Sequence, residues 1–277
     1  MGLLDRGVEI KTPEQIDGMR KAGLVVGRTL ELLRGHVRAG ITTGELDGIA
    51  EDSIRSAGAT PSFLGYHGFP ASICASVNDE VVHGIPGDRV LAEGDLVSID
   101  CGAITLDDSG RGWHGDSAIT VSVGPVPAEV EALMAVTEEA MWRGIAAAHL
   151  GGRVTDISHA VERHVRSQGG FGIVEDYTGH GIGSAMHQPP DVPNVGRPGK
   201  GPRLVPGLAL AVEPMITLGT KETDLLEDDW TVVSTDGSWA AHFEHTFTIT
   251  TEGTWVLTAL DGGEQQLSEL GVKFGGR

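Results

Sequence analysis

An α+β fold with two similar αβ halves around one shared core is the structure that this sequence predicts. Two observations lead to it: amphipathic helices are followed by strand patterns, and a helix with its end recurs 111 residues later. No long linker rich in Pro, Gly or Ser separates the halves. We therefore expect a single domain over residues 1–277, with halves of about 11–124 and 125–258 and a site in the crevice between them.

The first half opens with two amphipathic helices. Thr12-Pro13-Glu14-Gln15 is a capping box with proline at the first helical position, and apolar residues follow it at spacings of three and four. Thr42-Thr43-Gly44-Glu45 predicts the start of a second helix, and Gly58 is placed to end it.

An internal repeat connects this helix to the second half. Residues 45–58, ELDGIAEDSIRSAG, align without gaps with residues 156–169, DISHAVERHVRSQG. The Tyr-x-Gly of residues 66–68 falls on that of residues 177–179 at the same offset. Amphipathic helices resemble one another, so the helix alone leaves a chance match open. The helix, its end and the following Tyr-x-Gly together favour two similar halves.

Strand patterns follow the helices in both halves. The candidate strands are residues 95–100, 118–123, 208–212 and 243–250. The first two flank the turn composition Asp107-Asp108-Ser109-Gly110, so residues 95–123 predict a long β-hairpin.

Composition excludes several classes of protein. The chain has 20 Lys and Arg against 39 Asp and Glu, and a net charge of −19 repels nucleic-acid phosphates and acidic membranes. No apolar run reaches the roughly 18 residues of a membrane span, and no stretch resembles a signal peptide. Cys74 and Cys101 make no disulfide framework and fit a reducing compartment. We expect a cytoplasmic protein that binds neither nucleic acid nor membrane.

Four acidic residues and one histidine are candidate metal ligands. If Asp100 pairs with Asp116 across the hairpin, the two carboxylates converge on one face of the sheet. Glu213 in AVEPM and Glu244 in AHFEHT lie in apolar strand patterns, where acids are rarely left unpaired. With His180 in YTGHGIGSAMHQPP they form a set that suits two divalent metals. Any one acid alone also fits a turn, an ion pair or an exposed strand position.

Several motifs together resemble the type I methionine aminopeptidases. They are HGIPG, SIDCGA with WHGDSA, TGHGIG, VEPM and FEHT, and they follow the family's order over residues 11–257. The resemblance implies the pita-bread fold, with two pseudo-symmetric αβ halves around a curved, mainly antiparallel sheet. It also implies removal of the initiator methionine from nascent proteins with a small second residue, through attack of a metal-bound hydroxide on the first peptide bond.

The resemblance also implies a role for each candidate ligand. Asp100 would chelate one metal, and His180 and Glu213 would bind the other. Asp116 and Glu244 would bridge both metals, and Glu213 would also act as the general base. The implied cofactors are two divalent metal ions per chain, drawn from Co, Mn, Fe and Zn.

Further residues are implied to contact the substrate. His83 would lie near the scissile nitrogen, and His187 would donate to the carbonyl oxygen; without the resemblance either would be taken as structural. The implied methionine pocket consists of Tyr66, Phe69, Cys74, Met186, Trp230 and Phe63, and simple core packing stays open for all six. Other histidines, including His242, are expected to be structural, while His67, His114 and His245 lie near the proposed site.

The hairpin departs from the family pattern. Asp100 and Asp116 are 16 residues apart, whereas family members commonly show 11. An even separation centres the hairpin on Asp108 and requires an odd loop or a bulge, and Gly110 suits the positive φ of such loops. We expect a lengthened turn beyond an unchanged ligand pair, with Asp107 and Asp108 solvated and not forming a further cation site.

Two alternatives remain open at this stage. An X-Pro peptidase like prolidase or aminopeptidase P shares the fold and metals, but those enzymes usually carry a further N-terminal domain for which this chain has no room. A non-catalytic peptide-binding member would be favoured by loss of a ligand, yet all five ligand types are present. The expected form is the short bacterial one, a monomer that meets nascent polypeptide N-termini at the ribosome. Its own Gly2 would make it a substrate of itself.

Overall fold

A curled antiparallel sheet with helices packed on it forms the framework of the protein. The computed structural model describes residues 7–277, so the expectation for Gly2 lies outside the described residues. The helices are α1 (Pro13–His36), α2 (Thr43–Ser56), α3 (Ala128–Ala147), α4 (Val154–Gln168) and α5 (Glu264–Glu269). The strands of the first half are β1 (Thr60–Pro61), β2 (Ile73–Val77), β3 (Glu80–Val82), β4 (Leu96–Leu106) and β5 (Gly112–Ser122). Those that follow are β6 (Gly172–Ile173), β7 (Gly179–Gly181), β8 (Gln188–Val192), β9 (Ala209–Val212), β10 (Met215–Thr217), β11 (Thr223–Leu225), β12 (Val232–Ser234), β13 (Ala240–His242), β14 (Glu244–Ile249) and β15 (Thr254–Val256).

Nine strands form the main sheet, in the order β1-β4-β5-β14-β9-β7-β8, with β15 paired to β14 and β2 paired to β4. Two three-stranded sheets, β13-β10-β6 and β11-β12-β3, complete the architecture. Every named strand pairing is antiparallel. The predicted α+β class with a mainly antiparallel sheet is confirmed.

Both predicted capping boxes are present. The Thr12 side chain accepts from the Gln15 backbone N–H, and the Gln15 side chain accepts in return from the Thr12 backbone N–H at 2.8 Å. Thr42 and Glu45 make the same exchange at the start of α2. Helices α2 and α4 begin 111 residues apart, and helices α1 and α3 end at the same offset, so the helix pair recurs as the sequence indicated. The bounds of the two halves stay a prediction.

The hairpin of β4 and β5 differs from the expected register by one residue. Leu106 pairs with Gly112, so the odd loop is confirmed, but its five residues are centred on Ser109 and not on Asp108. Asp100 therefore faces Ala118. Direct pairing of Asp100 with Asp116 was wrong.

Asp116 instead faces Gly102, two positions along the strand from Asp100. Because side chains alternate along a strand, a shift of two residues keeps both carboxylates on one face as diagonal neighbours. Asp107 explains the register: its carboxylate accepts from the Ser109 backbone N–H at 2.9 Å and from the Trp113 ring N–H at 2.8 Å. Asp107 is thus a loop-closing acceptor and not merely a solvated residue, whereas Asp108 is exposed as expected.

The lengthened loop is tied to a distant segment through Glu9. The Glu9 carboxylate pairs with Arg111 at 2.6 Å and accepts from the Ser184 backbone N–H at 3.0 Å and the Gln188 side chain at 3.0 Å. Residues 184–188 include His187, so the N-terminal segment fixes the hairpin loop against this stretch of chain.

The largest core lies between the helices and the main sheet. Leu33, Leu46 and Leu133 on the helices pack in one cluster with Ile99 and Phe247 on the strands, and all five are fully buried. None of the helices in residues 7–277 is both long and apolar enough to span a membrane.

Helix α1 lies unusually close to the sheet at two glycines. A Cβ on Gly23 would overlap the backbone carbonyl of Leu257, and a Cβ on Gly115 would approach the Gly23 backbone nitrogen to 2.7 Å. Gly115 precedes Asp116 on β5, so this contact fixes the strand that carries a candidate ligand.

We expect Gly23→Ala to lower the free energy of unfolding by about 1–3 kcal/mol, because the overlapping group is backbone and cannot rotate away. Gly48→Ala is the matched control, since Gly48 lies inside α2 with no atom within 4 Å of the added Cβ. That control should be neutral or stabilising by up to about 1 kcal/mol. Urea unfolding in chelator measures both, and equal effects would contradict the close packing.

Candidate metal centre

One cavity of about 160 Å³ brings together all the predicted metal ligands, the two substrate histidines and the six residues of the predicted methionine pocket. We call it the central cavity, and its lining residues are Phe63, Tyr66, Phe69, Cys74, His83, Asp100, Asp116, His180, Met186, His187, Glu213, Trp230 and Glu244. It has a carboxylate-rich side and an apolar side. The chemical role of each lining residue stays a prediction.

Five neighbouring strands of the main sheet each bring one candidate ligand to the cavity. In lateral order, β4, β5, β14, β9 and β7 carry or directly precede Asp100, Asp116, Glu244, Glu213 and His180. Adjacent strands are about 4.8 Å apart, so side chains on one face of five strands converge only because the sheet curls.

The glycines beside His180 allow its strand to fit. A Cβ on Gly179 would overlap the Ala211 carbonyl, and a Cβ on Gly181 would overlap the Pro189 carbonyl. Strand β7 is held between β9 and β8 in the sheet order, so only glycine leaves room on either side of the imidazole. The His180 ring is oriented by a 3.0 Å hydrogen bond between Nδ1 and the Gly181 carbonyl, which directs Nε2 toward the carboxylates.

Ligand atoms of these residues lie within reach of a common ion. Asp116, His180 and Glu244 each offer one atom within 4.8 Å of the others. His180 Nε2 is 3.5 Å from Glu213 Oε1. Buried oxygens of Asp100, Asp116 and Glu244 have no hydrogen-bond partner in the described part of the chain.

Burial strongly perturbs the titration of these groups. Desolvation raises the pKa of Asp100 to about 7. It also raises the pKa of Asp116 well above its usual range, with help from the nearby charges of Asp100 and Glu213. The pKa values of Glu213 and Glu244 are also raised, first by burial and then by neighbouring carboxylates. Burial and the neighbouring His187 lower the pKa of His180 to about 3, which leaves the neutral imidazole that a metal requires.

The donor set fits divalent cations. No Lys or Arg is among the described residues that line the central cavity, so nothing positive in the protein compensates four converging carboxyl groups there. Four oxygen donors and one neutral imidazole suit Mn, Fe or Co, and cysteine thiolates play no part because burial raises the pKa of Cys74 well above its usual range.

Two further histidines lie on the cavity wall. The Tyr66 hydroxyl shares a 2.9 Å hydrogen bond with His187 Nδ1, and the His187 ring lies 4.2 Å from that of His180. His83 packs edge-on against Trp230 with its backbone at a φ of 61°. Burial lowers the pKa of His83 to about 4, so this ring is neutral near pH 7.

An apolar cluster forms the other side of the cavity. It includes all six residues of the predicted methionine pocket, namely Phe63, Tyr66, Phe69, Cys74, Met186 and Trp230. The rings of Phe69 and Trp230 meet edge to face with centroids 5.0 Å apart. Ala71 and Ile85 belong to the same cluster and were not identified from the sequence, although Ile85 lies inside the HGIPG motif.

His242 is placed differently from the expectation of a structural histidine. Its side chain is buried, and its Nε2 lies 3.7 Å from Glu213 Oε2 on the cavity's carboxylate side. His242 precedes Glu244 by two residues, but β13 ends at His242 and β14 begins at Glu244, so the spacing alone did not indicate that both side chains face the cavity. By contrast, the His245 Nδ1 is within hydrogen-bond distance of the Thr258 and Ser117 hydroxyls.

Comparison with known proteins identifies relatives over most of the chain. The model of metallopeptidase family M24 matches residues 17–251. A methionine aminopeptidase of Clostridium acetobutylicum is 50% identical over 250 residues, which cover 90% of this chain and 98% of the relative. Methionine aminopeptidase 1 of Mycobacterium tuberculosis is 52% identical over 259 residues, covering 91% and 96%.

Solved structures agree with this assignment. A methionine aminopeptidase crystal structure from Thermotoga maritima has a TM-score of 0.87 and 40% identity, covering 91% of this chain and 99% of that one. The predicted pita-bread fold and the family resemblance are both confirmed.

The raised carboxyl pKa values predict how the stability of the metal-free protein depends on pH. The folded protein holds protons that the unfolded chain releases above about pH 4, so this contribution to stability is lost as the pH rises through about 7. We expect the melting temperature of metal-free protein to fall from about pH 5 to pH 8. In Asp100→Asn the fall should be smaller, because one titrating group is removed. Calorimetric melting in chelator measures both.

Asp108→Asn is the control for this experiment, because it removes an exposed carboxylate of the same hairpin. It should follow the parent across the pH range. An Asp100→Asn profile parallel to that of the parent would mean that the buried carboxyl group is not protonated in the folded state.

Proposed function

This chain belongs to metallopeptidase family M24, and from that premise we propose that it is a metal-dependent methionine aminopeptidase acting on nascent polypeptide N-termini. The observation that carries the proposal is the central cavity itself, which sets a cluster of four carboxylates and an imidazole beside an apolar cluster of side chains. An aminopeptidase for an apolar first residue needs those two features side by side.

The proposed metal ligands are Asp100, Asp116, His180, Glu213 and Glu244, holding two divalent ions from among Co, Mn, Fe and Zn. A divalent metal, when bound, polarises the scissile carbonyl and brings the pKa of water from 15.7 down to about 7. Asp116 and Glu244 are the proposed bridging ligands, which is consistent with their burial and with their central strands, β5 and β14.

Glu213 is the proposed general base. Its carboxyl group has an oxygen 3.5 Å from His180 Nε2, and burial raises its pKa above the usual range, which makes the carboxylate a stronger base. Its backbone carbonyl accepts from the Asn194 side chain at 3.3 Å, which fixes the segment after β9.

His187 is the proposed donor to the developing oxyanion. When the Tyr66 hydroxyl donates to His187 Nδ1, the ring proton resides on Nε2, and a neutral imidazole then offers that N–H to the substrate. His83 is proposed to contact the scissile nitrogen. Tyr66 is therefore proposed to have two roles: its hydroxyl sets the tautomer of His187, and its ring forms part of the pocket wall.

The apolar cluster is proposed to bind the methionine side chain. Phe69 and Trp230 offer ring faces and edges to a flexible thioether, and sulfur–aromatic contacts contribute about 0.3–1.5 kcal/mol. We further propose that the second residue of the substrate must be small, and that the protein acts as a cytoplasmic monomer near the ribosome. The charge of −19 disfavours direct contact with ribosomal RNA.

Peptide hydrolysis tests the proposed function. We expect Mn- or Co-loaded protein to release methionine from Met-Gly-Met and Met-Ala peptides, at rates orders of magnitude above those for Met-Leu and Met-Lys. Chelator should abolish release. Cleavage of Gly-Pro instead would indicate an X-Pro peptidase, and binding without cleavage would indicate a non-catalytic member. Efficient turnover of Met-Lys would refute the small second residue.

Alanine substitutions separate the two adjacent histidines. We expect His187→Ala to keep near-parent metal content and KM while kcat falls by about 10²–10³, because one positioned donor to the oxyanion is lost. His180→Ala should bind metal more weakly and recover part of its activity in excess metal. Calorimetric metal titration beside steady-state kinetics measures both. This division of roles is wrong if His187→Ala binds metal as poorly as His180→Ala, or turns over at the parent rate.

A further inference from the structure

The Glu213 carboxylate lies between two imidazoles. Its Oε1 is 3.5 Å from His180 Nε2, and its Oε2 is 3.7 Å from His242 Nε2. We propose that His242 is a positioning residue whose Nε2–H donates to Glu213 Oε2 and thereby holds the other carboxylate oxygen toward the metal site. This inference rests on the proposed function, because it takes Glu213 as a ligand and proton acceptor.

The first argument is that His242 lacks any other partner on this side. Its Nε2 is buried without a hydrogen bond among the described residues, and the whole residue is 1% exposed. A buried polar group without a partner is unfavourable, so a nearby acceptor is strongly favoured. A shift of roughly half an ångström brings Glu213 Oε2 into the 2.7–3.2 Å range of N–H···O bonds.

The second argument is that the backbone of His242 is fixed. Its N–H donates to the Thr120 hydroxyl at 2.9 Å, and that hydroxyl donates to the His242 carbonyl at 2.7 Å. Thr120 also lies 2.9 Å from the Ser98 hydroxyl, and His242 pairs with Met215 across β13 and β10. A side chain on such a rigid strand is able to hold a carboxylate in one orientation.

The third argument concerns the two oxygens of Glu213, which face different groups. Oε1 lies toward His180, a proposed ligand, and Oε2 lies toward His242 on the other side. Carboxylates that bind metals are usually hydrogen-bonded in turn by outer residues, and loss of those residues costs about 10–100-fold in metal affinity or activity. Direct binding of metal by His242 is the competing possibility, because one of its ring nitrogens lies within 4.8 Å of carboxylate oxygens of Glu213 and Glu244.

Two substitutions distinguish a hydrogen-bond donor from a metal ligand. His242→Leu removes the donor, and His242→Gln replaces it, because the glutamine side-chain N–H reaches a position similar to that of Nε2. Metal-free protein is titrated with Mn(II) by calorimetry, and the visible absorption of the Co(II) form is recorded. We expect about 10–100-fold weaker binding at one site in His242→Leu. In His242→Gln we expect binding within a few-fold of the parent and an unchanged Co(II) spectrum.

A matched control is His164→Leu. His164 lies on α4 and lines a different cavity, and its Nε2 is also buried without a partner. This variant should bind Mn(II) like the parent. The melting temperatures of metal-free His242→Leu and metal-free parent are compared as well, and a large fall together with parent-like Mn(II) affinity would indicate a purely structural role.

Other outcomes overturn the proposal. If His242→Leu binds metal like the parent, His242 does not position Glu213. If His242→Gln binds as weakly as His242→Leu with an altered Co(II) spectrum, the imidazole is itself a ligand. Parent protein that binds Mn(II) and cleaves Met-Ala peptides keeps the proposed function in both cases. A parent that does neither refutes that function, and the role of His242 with it.

Discussion

Four carboxyl groups buried in one cavity are the constraint on which the rest of this structure depends. Like charges at this separation in a poorly solvated space repel strongly, so the groups must be protonated or share bound cations. The raised pKa of Asp100 and the unpartnered oxygens of Asp116 and Glu244 are two expressions of that same constraint. The cavity contributes little to stability, so other parts of the fold must hold the repelling carboxyl groups in place.

The antiparallel sheet supplies that rigidity. Four of the candidate ligands lie on strands whose ladder hydrogen bonds hold their backbones, and Glu213 directly follows β9. The glycines at 23, 115, 179 and 181 serve the same end, because they allow helix α1 and strand β7 to pack in direct backbone contact. This close packing behind the candidate ligands limits how far their strands can move.

Local chemistry was predictable from the sequence, and long-range pairing was only partly so. The capping boxes at Thr12 and Thr42 depend on residues three apart, and the odd hairpin loop followed from parity alone. The exact centre of that loop could not be predicted, because it depends on a hydrogen bond that the Trp113 ring N–H donates to the Asp107 carboxylate. The residues of the central cavity were predicted from the family resemblance of the motifs and not from the spacing between residues.

Contacts between distant residues explain most of what was missed. The hydrogen bond between Tyr66 and His187 joins residues 121 apart, and nothing in either segment indicates the other. His242 and Glu244 are only two residues apart, but the strand breaks between them at Phe243, so their spacing did not indicate which group His242 faces.

The Glu9 link has a consequence for the order in which the protein assembles. Glu9 and Ser184 are separated by 175 residues, and closing so long a loop has a large entropic cost before its contacts contribute. The stretch that carries His187 therefore gains its anchor only after both ends of this span have been synthesised and the N-terminal segment has docked. A growing chain on the ribosome can form its first helix pair and hairpin early. The wall that carries His187 therefore cannot be completed until residues 184–188 have been synthesised and have met the N-terminal segment.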